Sequence, residues 1–226
     1  INTLHHHRLM SDSKKKIYLG EDLVCQTFTD AEEQAKAFDL FGLEQPVVSS
    51  NAPASTRPVQ QGQVCEFDGV DDYINIDNEY LQLEPSETID AEFMVFLDSG
   101  GTVDQSFLHC QLNGGSYKGY TFKHDALDDA LEFAFTNGAG ILKVQANPIA
   151  KDTWVAVRVT YDGSTNASGV AMWVNGDSVA LTIVTDTLTA ADVGYTNNYN
   201  VSIGAWVYSN SVVRPMTGKI AHAVIS

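Results

Sequence analysis

Apolar and polar residues alternate along most of the chain from Val64 onward, the pattern typical of half-buried β-strands. The dipeptides Asn137-Gly138, Asp162-Gly163 and Asn175-Gly176 separate several of these runs and predict hairpin turns. The alternation predicts strands over 64–67, 73–76, 89–97, 106–112, 119–123, 131–135, 140–145, 153–161, 169–175, 178–184, 200–207 and 217–225. Many short strands with little helix predict an all-β sandwich or barrel.

The first 63 residues have a different pattern. A short apolar run over 17–19 is a strand candidate. The segment 30–41 is the best helix candidate, because Asp30 can cap its start and Gly42 can end it. Residues 45–63 are rich in Pro, Ser and Gln and are typical of a linker.

This change of pattern suggests three segments. Residues 1–9 carry a His triplet before Met10 and are interpreted as a leader or vector-derived segment. Residues 10–63 form an N-terminal extension with helix and linker, and residues 64–226 form the β-domain. No apolar stretch typical of a signal peptide follows Ile1 or Met10. We expect synthesis in a cytoplasm and use elsewhere, on a virion or at an extracellular or cell surface.

Composition excludes several function classes. The 226 residues include 13 Lys+Arg and 29 Asp+Glu, a formal net charge of −16, and 44% are hydrophobic. This is a globular composition, and the excess of acidic residues argues against nucleic acid as a partner. No apolar stretch approaches the roughly 20 residues of a membrane span, so we expect no membrane insertion.

The three cysteines do not form a recognisable framework. One bridge, Cys25–Cys65 or Cys65–Cys110, and three buried thiols are the alternatives. No Cys-x-x-Cys pair supports a zinc site. The separate histidines His109, His124 and His222 are not at ligand spacing, and we expect partly buried or surface side chains.

Four segments in order resemble one superfamily. They are Phe67-Asp68-Gly69-Val70-Asp71-Asp72-Tyr73-Ile74, the strand 154–163 (WVAVRVTYDG), the hairpin 171–176 (AMWVNG), and the closing runs 203–206 (IGAW) and 218–224 (GKIAHAV). This set is similar to the concanavalin A-like lectin/glucanase superfamily, in particular to laminin-G-like domains. The resemblance implies an all-β, two-sheet antiparallel jelly-roll sandwich, here with one short N-terminal helix. Such domains often bind sugar on a face or rim.

The same resemblance suggests a cation. Many laminin-G-like domains carry Ca²⁺, and Asp68, Asp71 and Asp72 place three hard oxygen ligands in one turn. We therefore name these residues as metal ligands and Ca²⁺ as the cofactor. The alternative is that the aspartates accept backbone N–H bonds within the turn.

Aromatic side chains beside polar groups are the candidates for glycan contact. Residues in Gly-, Asn- and Ser-rich contexts form the ligand-binding set: Tyr117, Tyr120, Tyr195, Tyr199, Trp206 and Tyr208. Core or rim packing is the alternative for each. Trp173 alternates with Met172 and Val174, so its direction stays open.

Catalysis has weaker support. Some relatives hydrolyse β-glucans with two carboxylates on one strand, and Glu66-Phe67-Asp68-Gly69-Val70-Asp71 is the nearest match. Gly69 interrupts it, and the turn explains the same residues. A second acidic group (Asp125, Asp128, Asp129, Glu132) is expected to be a loop and solvated face. The sequence therefore favours a protein that is not an enzyme.

The sequence leaves two main candidate functions. The first is a non-catalytic module that binds a glycan or another surface receptor. The second is a structural, decoration or spike subunit of a virus particle or other assembly, which self-associates and binds no sugar. A glycoside hydrolase ranks third. Fold alone does not separate them, because one sandwich hosts many functions.

Overall fold

The computed structural model describes residues 17–19, 26–27, 63–76, 81–112, 118–191, 193, 201–208 and 211–225. Apart from a 3₁₀ turn over Ala167–Gly169, the regular elements in these ranges are β-strands. They are β1 (Ile17–Leu19), β2 (Gln26–Thr27), β3 (Gln63–Asp68), β4 (Ile74–Ile76), β5 (Ile89–Leu97), β6 (Gln105–Leu112), β7 (Lys118–Asp125), β8 (Ala130–Asn137), β9 (Ile141–Ala146), β10 (Trp154–Tyr161), β11 (Val170–Val174), β12 (Asp177–Ser178), β13 (Thr182–Asp186), β14 (Val201–Ile203), β15 (Ala205–Tyr208), β16 (Ser211–Pro215) and β17 (Thr217–Ile225).

The strands form two large antiparallel sheets. Sheet one has the order β12-β11-β10-β5-β17-β3-β2, with β1 also paired to β17. Sheet two has the order β13-β9-β8-β7-β6-β14-β4, and β15 and β16 form a separate ribbon. The predicted two-sheet antiparallel sandwich is confirmed. The predicted helix over 30–41, the leader 1–9 and most of the linker 45–63 lie outside the described residues.

The core lies between the two sheets and is rich in aromatic side chains. Phe93 of sheet one packs against Phe107 and Phe122 of sheet two, with ring centroids 6.3 and 6.2 Å apart. Tyr161 of sheet one packs against Phe133 of sheet two at 6.0 Å. Because alternate residues of a strand point to opposite faces, each of these strands sends its other set of side chains outward.

Two predicted strands are divided. The run over 200–207 breaks at Gly204, which has a φ of +85°. Because this φ is not that of a strand, β14 ends before Gly204 and the ribbon strand β15 begins after it. The run over 178–184 is divided into β12 and β13. The ribbon strand β16 was not predicted, since its sequence SVVRP carries Arg and Pro and lacks clear alternation.

The N-terminal extension contributes to sheet one. β1 pairs with β17 through Ile17↔Ile225, and β2 pairs with β3 through Gln26↔Val64. Cys65, next to this pairing on β3, is disulfide-bonded, whereas Cys110 on β6 is a buried thiol outside that bond. The Cys65–Cys110 bridge and the alternative with three buried thiols are therefore both wrong. The remaining alternative, Cys25–Cys65, involves a residue outside the described ranges.

Candidate functional site

The predicted metal ligands converge in the turn after β3. One carboxylate oxygen from each of Asp68, Asp71 and Asp72 lies within 4.8 Å of the others, and all three residues are exposed. The turn also uses them: Asp68 Oδ1 accepts from the Val70 N–H at 2.7 Å, and Asp72 Oδ2 accepts from the Asp68 N–H at 3.1 Å. Both the metal prediction and turn chemistry fit this geometry, so Ca²⁺ binding stays a prediction.

The carboxylates considered for hydrolysis lie on β3 of sheet one. Glu66 is opposite Lys219 and Asp68 is opposite Thr217 on β17. Both acids are exposed, while Phe67 between them points into the core. They therefore occupy the outer face of sheet one.

Tyr120 does not lie at the surface as the ligand-binding prediction required. Tyr120 lies in the sandwich core and is 0% exposed, and its hydroxyl donates to the Leu81 carbonyl oxygen at 2.7 Å. Burial raises the pKa of the phenol well above its usual value. Tyr120 is separated by an even number of positions from the other core residues of its strand, so its side chain points into the core. The packing alternative therefore holds for this residue.

The other predicted tyrosines fall outside what the structure describes. Tyr117, Tyr195 and Tyr199 lie outside the described residues, as does the side chain of Tyr208. The ends of their segments are described: β6 ends at Leu112, β7 begins at Lys118 and β14 begins at Val201. Because β14 and β7 both pair antiparallel with β6, these three strand ends lie at one end of sheet two.

Trp206 lies on the ribbon strand β15 and is largely buried. Its ring packs against His109 with centroids 4.8 Å apart, and the Arg214 guanidinium carbon lies 4.5 Å from the ring centroid. Only 8% of Trp206 is exposed. Trp206 therefore joins the β15–β16 ribbon to sheet two and offers little of its ring to a ligand.

The outer face of sheet two is lined with polar side chains, and we name it the polar face. Strand registers align two rows of residues across it. The first row is Asn75, Ser202, His109, Thr121, Ala134, Lys143 and Thr185. The second row is Ser106, Lys123, Glu132, Gln145 and Thr182. Outward-facing polar residues are ordinary on a sheet, but those at the centre of these rows are buried.

Small side chains occupy the centre of the polar face. Ser106, Thr121, Ala134 and Ser202 are each at most 9% exposed. The ribbon with Trp206 borders them on one side, and the longer Lys143 and Gln145 side chains border them on the other. This strip of small side chains between the two borders is called the trough below.

A network of charged groups lies beside the trough. Lys123 Nζ is 2.7 Å from both Asp104 Oδ2 and Asp125 Oδ2, and 3.4 Å from Glu132 Oε1. Arg214 also binds Asp104. Lys143 Nζ lies 2.7 Å from Glu132 Oε2, to which the Gln145 amide also donates at 2.9 Å. Buried charges require such partners, and the network holds β7, β8, β9 and the ribbon strand β16 together.

The pKa shifts follow from this network. Burial by itself would raise the pKa of Asp125, but hydrogen bonds from Lys123 and the Asp128 N–H, with the positive charges of Lys123 and Lys143, lower it to about 2. Burial would lower the pKa of Lys123, but Glu132, Asp104 and Asp125 outweigh it and raise that pKa. Lys123 and Asp125 therefore both stay charged at neutral pH.

Most of this network was missed from the sequence. Asp125 and Glu132 were expected on a solvated face, but they are buried at 6% and 3% exposure. Asp128 and Asp129 are exposed as expected. The sequence did show that four polar residues occupy outward positions of predicted strands: Lys123, Glu132, Lys143 and Gln145. Nothing in the sequence showed that these positions would meet.

His109 and His124 are likewise buried rather than exposed. His109 lies under Trp206. His124 Nε2 is 3.0 Å from Asp129 Oδ1, and Asp129 also pairs with Lys151 at 2.9 Å. Burial lowers the pKa of His124, Lys151 adds to that effect, and Asp129 opposes it.

Comparison with solved structures shows the class of fold. The Ruminococcus gnavus IT-sialidase CBM40 bound to α2,3-sialyllactose matches with a TM-score of 0.51 and 14% identity, over 72% of this chain and 89% of that one. The leech intramolecular trans-sialidase complexed with 2,7-anhydro-Neu5Ac matches with a TM-score of 0.51 and 12% identity, over 72% of this chain and 25% of that one. Domains LG4–5 of the mouse laminin α1 chain match with a TM-score of 0.46 and 16% identity, over 78% of this chain and 44% of that one.

At these identities the likeness shows the fold alone. The fold is the concanavalin A-like jelly roll that the four sequence motifs predicted. No protein-family model matches the chain, and no curated protein sequence matches it. Within the described residues, no helix has the length and apolar character needed to cross a membrane.

Proposed function

We propose that the protein is a non-catalytic jelly-roll module that binds a glycan on the polar face of sheet two. The trough carries the proposal, because its small side chains lie between the β15–β16 ribbon and the partly exposed side chains of Lys143 and Gln145. Natural binding sites combine a recess with a few fixed polar groups. The salt-bridge network supplies such groups in fixed positions, since each is held by at least one partner.

The chemistry of the trough fits a polyhydroxylated ligand. The Lys143 ammonium and the Gln145 amide are partly exposed at the border of the trough, and the Thr121 hydroxyl lies in the same row as Lys143. These groups exchange hydrogen bonds with sugar hydroxyls without requiring a ligand charge. The CBM40 structure, which is bound to α2,3-sialyllactose, supports a glycan as the ligand for this fold.

Display outside the cytoplasm is part of the proposal. Cys65 is disulfide-bonded, and structural disulfides persist mainly in oxidising surroundings. The exposed surface of a cell or of a virus particle meets that condition. There the module would contact the glycans of another surface.

We propose no catalytic step. Glu66 and Asp68, the nearest match to a glucanase pair, lie on the outer face of sheet one, whereas the trough lies on the outer face of sheet two. If the protein nevertheless hydrolyses a β-glucan, Glu66→Gln should abolish that activity. Any hydrolysis lost in this variant would overturn the non-catalytic assignment.

Ca²⁺ at Asp68, Asp71 and Asp72 belongs to the same proposal, at a separate place. Three carboxylates are a small ligand set for an ion that takes six to eight oxygens, so we expect weak binding with a Kd on the order of 1 mM. Calorimetric titration with CaCl₂ should show this binding, and Asp72→Asn should weaken it. Titration of the unchanged protein without heat or saturation would remove the site.

A glycan array tests the proposed function. The full chain is applied with Ca²⁺ and again with EDTA, and then as the variant Ala134→Leu. Leucine fills the trough, so binding to the recognised glycan should fall at least about tenfold, an interface loss of roughly 1.4 kcal/mol. Ala156→Leu on sheet one is the matched control and should bind normally.

The same assay separates the two candidate locations. Loss in Ala134→Leu assigns the ligand to the trough, whereas loss only in Tyr199→Ser assigns it to the loop end of sheet two. Thermal melts of each variant show whether the fold is kept. Absence of binding to any glycan by the unchanged protein would overturn the proposal and favour the structural-subunit hypothesis.

A further inference from the structure

The outer face of sheet one carries an apolar cluster that is shielded from water. Met94 occupies an outward position of β5, since its neighbours Phe93 and Val95 point into the core. Met94 is nevertheless 0% exposed, and Trp154 and Val64 of the same cluster are each 4% exposed. An outward sheet face that meets water is normally polar and exposed, so the burial of these side chains indicates a covering layer.

Within the described ranges, the apolar members of this cluster all come from sheet one. They are Val64, Met94 and Trp154, with the partly buried Phe96 and Ala221 packed against them. The Phe96 and Trp154 rings meet edge to face with centroids 5.7 Å apart, because the two residues are register partners on β5 and β10. His222, opposite Met94 on β17, is half-buried, and burial lowers its pKa. The covering layer therefore comes from outside these strands.

Residues 28–62, which lie outside the described ranges, begin and end beside this cluster. β2 and β3 pair through Thr27↔Gln63, so the chain leaves sheet one and returns to it at neighbouring positions, next to Val64. Connections longer than about 15 residues inside a compact domain generally have secondary structure of their own. The segment is therefore tethered at both ends beside the cluster.

The sequence of this segment provides one suitable apolar surface. The helix predicted over 30–41 begins soon after β2 ends at Thr27. Its apolar side is formed by Ala31, Ala35, Phe38 and Phe41. A helix of about 12 residues is about 18 Å long, and the four adjacent strands from β3 to β10 are about 14 Å across, so this side is long enough to span the cluster.

We propose that residues 30–41 form a helix whose apolar side covers the outer face of sheet one. The short link after Thr27 keeps the segment beside the cluster at a high effective concentration, which favours it over a separate molecule. Charge favours it as well, because two copies that each carry a net charge of −16 repel each other.

This packing makes the N-terminal extension a third layer of the domain, in the order helix, sheet one and sheet two. It closes the outer face of sheet one and leaves the outer face of sheet two open. The packing does not depend on glycan binding, and loss of one leaves the other to be tested separately.

Phe38→Glu tests the packing, and Lys36→Gln is the matched control. Both changes alter the net charge by the same amount and introduce a good helix former, but Lys36 lies on the opposite side of the predicted helix. Phe38→Glu should lower the Tm of the full chain by roughly 5–10 °C, because it places a charge against apolar side chains. Lys36→Gln should change the Tm by less than about 2 °C.

Trp154 reports on the cover directly. In a chain that also carries Trp173→Phe and Trp206→Phe, Trp154 is the one remaining tryptophan. At 4% exposure its fluorescence should be quenched weakly by acrylamide. Phe38→Glu should raise the quenching constant severalfold, whereas Lys36→Gln should leave it unchanged. Circular dichroism checks that each variant keeps its sheets, and Phe38→Ala replaces Phe38→Glu if the latter does not fold.

Three results would overturn the proposal. The first is a folded Phe38→Glu variant with unchanged Tm and unchanged Trp154 quenching, or one that does not differ from Lys36→Gln. The second is hydrogen exchange over residues 30–41 of the unchanged chain at the rate of an unfolded peptide. The third is Trp154 quenching that falls as protein concentration rises, since this would assign the cover to a second copy.

Discussion

Replacing Lys123 by Met removes the central cation of the charged network and keeps most of the side-chain volume. In the unchanged protein, this ammonium lies 2.7 Å from carboxylate oxygens of Asp104 and Asp125 and 3.4 Å from one of Glu132. Lys123 and Glu132 are 6% and 3% exposed, so water cannot take over the lost contacts fully. The variant leaves buried carboxylates with too few positive partners.

The cost follows from the burial of these carboxylates. Removing one partner of a buried ion pair typically costs 3–5 kcal/mol, and Lys143 and Arg214 remain to compensate in part. We therefore expect Lys123→Met to lower the free energy of unfolding by about 3 kcal/mol at neutral pH. For a domain of this size, that corresponds to a Tm lower by roughly 6–12 °C.

The free energy of unfolding that is lost in Lys123→Met should depend on pH. The pKa of Asp125 is lowered from 3.8 to about 2, so its ionised form contributes stability above pH 3.8 that is lost as pH falls through 2. Without Lys123 this pKa rises, and protonation relieves the unpaired charge as the solution is acidified. Allowing for partial solvent screening, the cost of Lys123→Met should shrink by roughly 1–2 kcal/mol between about pH 7 and about pH 3.

Urea unfolding followed by tryptophan fluorescence at both pH values measures these differences. Lys151→Met is the matched control, because Lys151 pairs with the exposed Asp129 and should cost less than about 1 kcal/mol. The double variant Lys123→Met, Glu132→Gln should recover part of the loss, since it removes one of the unpaired charges. A cost below about 1 kcal/mol for Lys123→Met, or one that does not change with pH, would refute this account of the network.

Two further predictions concern His124 and Gly204. Because burial lowers the pKa of His124, its contribution to stability is present above pH 6.5 and is lost as pH falls through the lower folded value. His124→Gln should therefore narrow the difference between urea midpoints at about pH 7.5 and about pH 5.5, and an unchanged difference would contradict the assignment. At Gly204, with φ +85°, an added Cβ would lie 2.0 Å from Cε1 of the buried Phe67 ring, so Gly204→Ala should cost about 3 kcal/mol in strain and overpacking. Gly176→Ala, with the same φ and nothing within 4 Å of its Cβ, isolates the backbone cost, and equal losses for the two variants in thermal melts would exclude the clash.

The extent to which sequence predicted this protein differs between fold and site. Strand positions followed from alternation, and β5, with nine residues over Ile89–Leu97, matches its prediction at both ends. Alternation predicts such strands because a half-buried strand needs apolar residues at every second position. The prediction failed at Gly204, where a single positive φ moves the chain from sheet two into a ribbon, and it missed β16 entirely.

The site was predicted less completely. The turn with Asp68, Asp71 and Asp72 was found because its residues are adjacent in sequence, and the structure brings their carboxylates together. Tyr120 was placed wrongly, since an aromatic residue near glycine can face either side of a strand. The distinction depends on register, and a shift by one residue exchanges the two faces.

What the sequence alone determined is therefore most of the strands and their turns, because these depend on local periodicity and on glycine at fixed turns, while the jelly-roll class followed from the resemblance of four segments to laminin-G-like domains. Only the tertiary structure decided which residues form the trough and the charged network beside it. Asp104, Lys123, Glu132 and Arg214 come from four separate segments, and their contact depends on the order of strands in sheet two and on the ribbon that folds over it. Strand order is set by long-range pairing across the whole domain, and no local pattern in the chain records it.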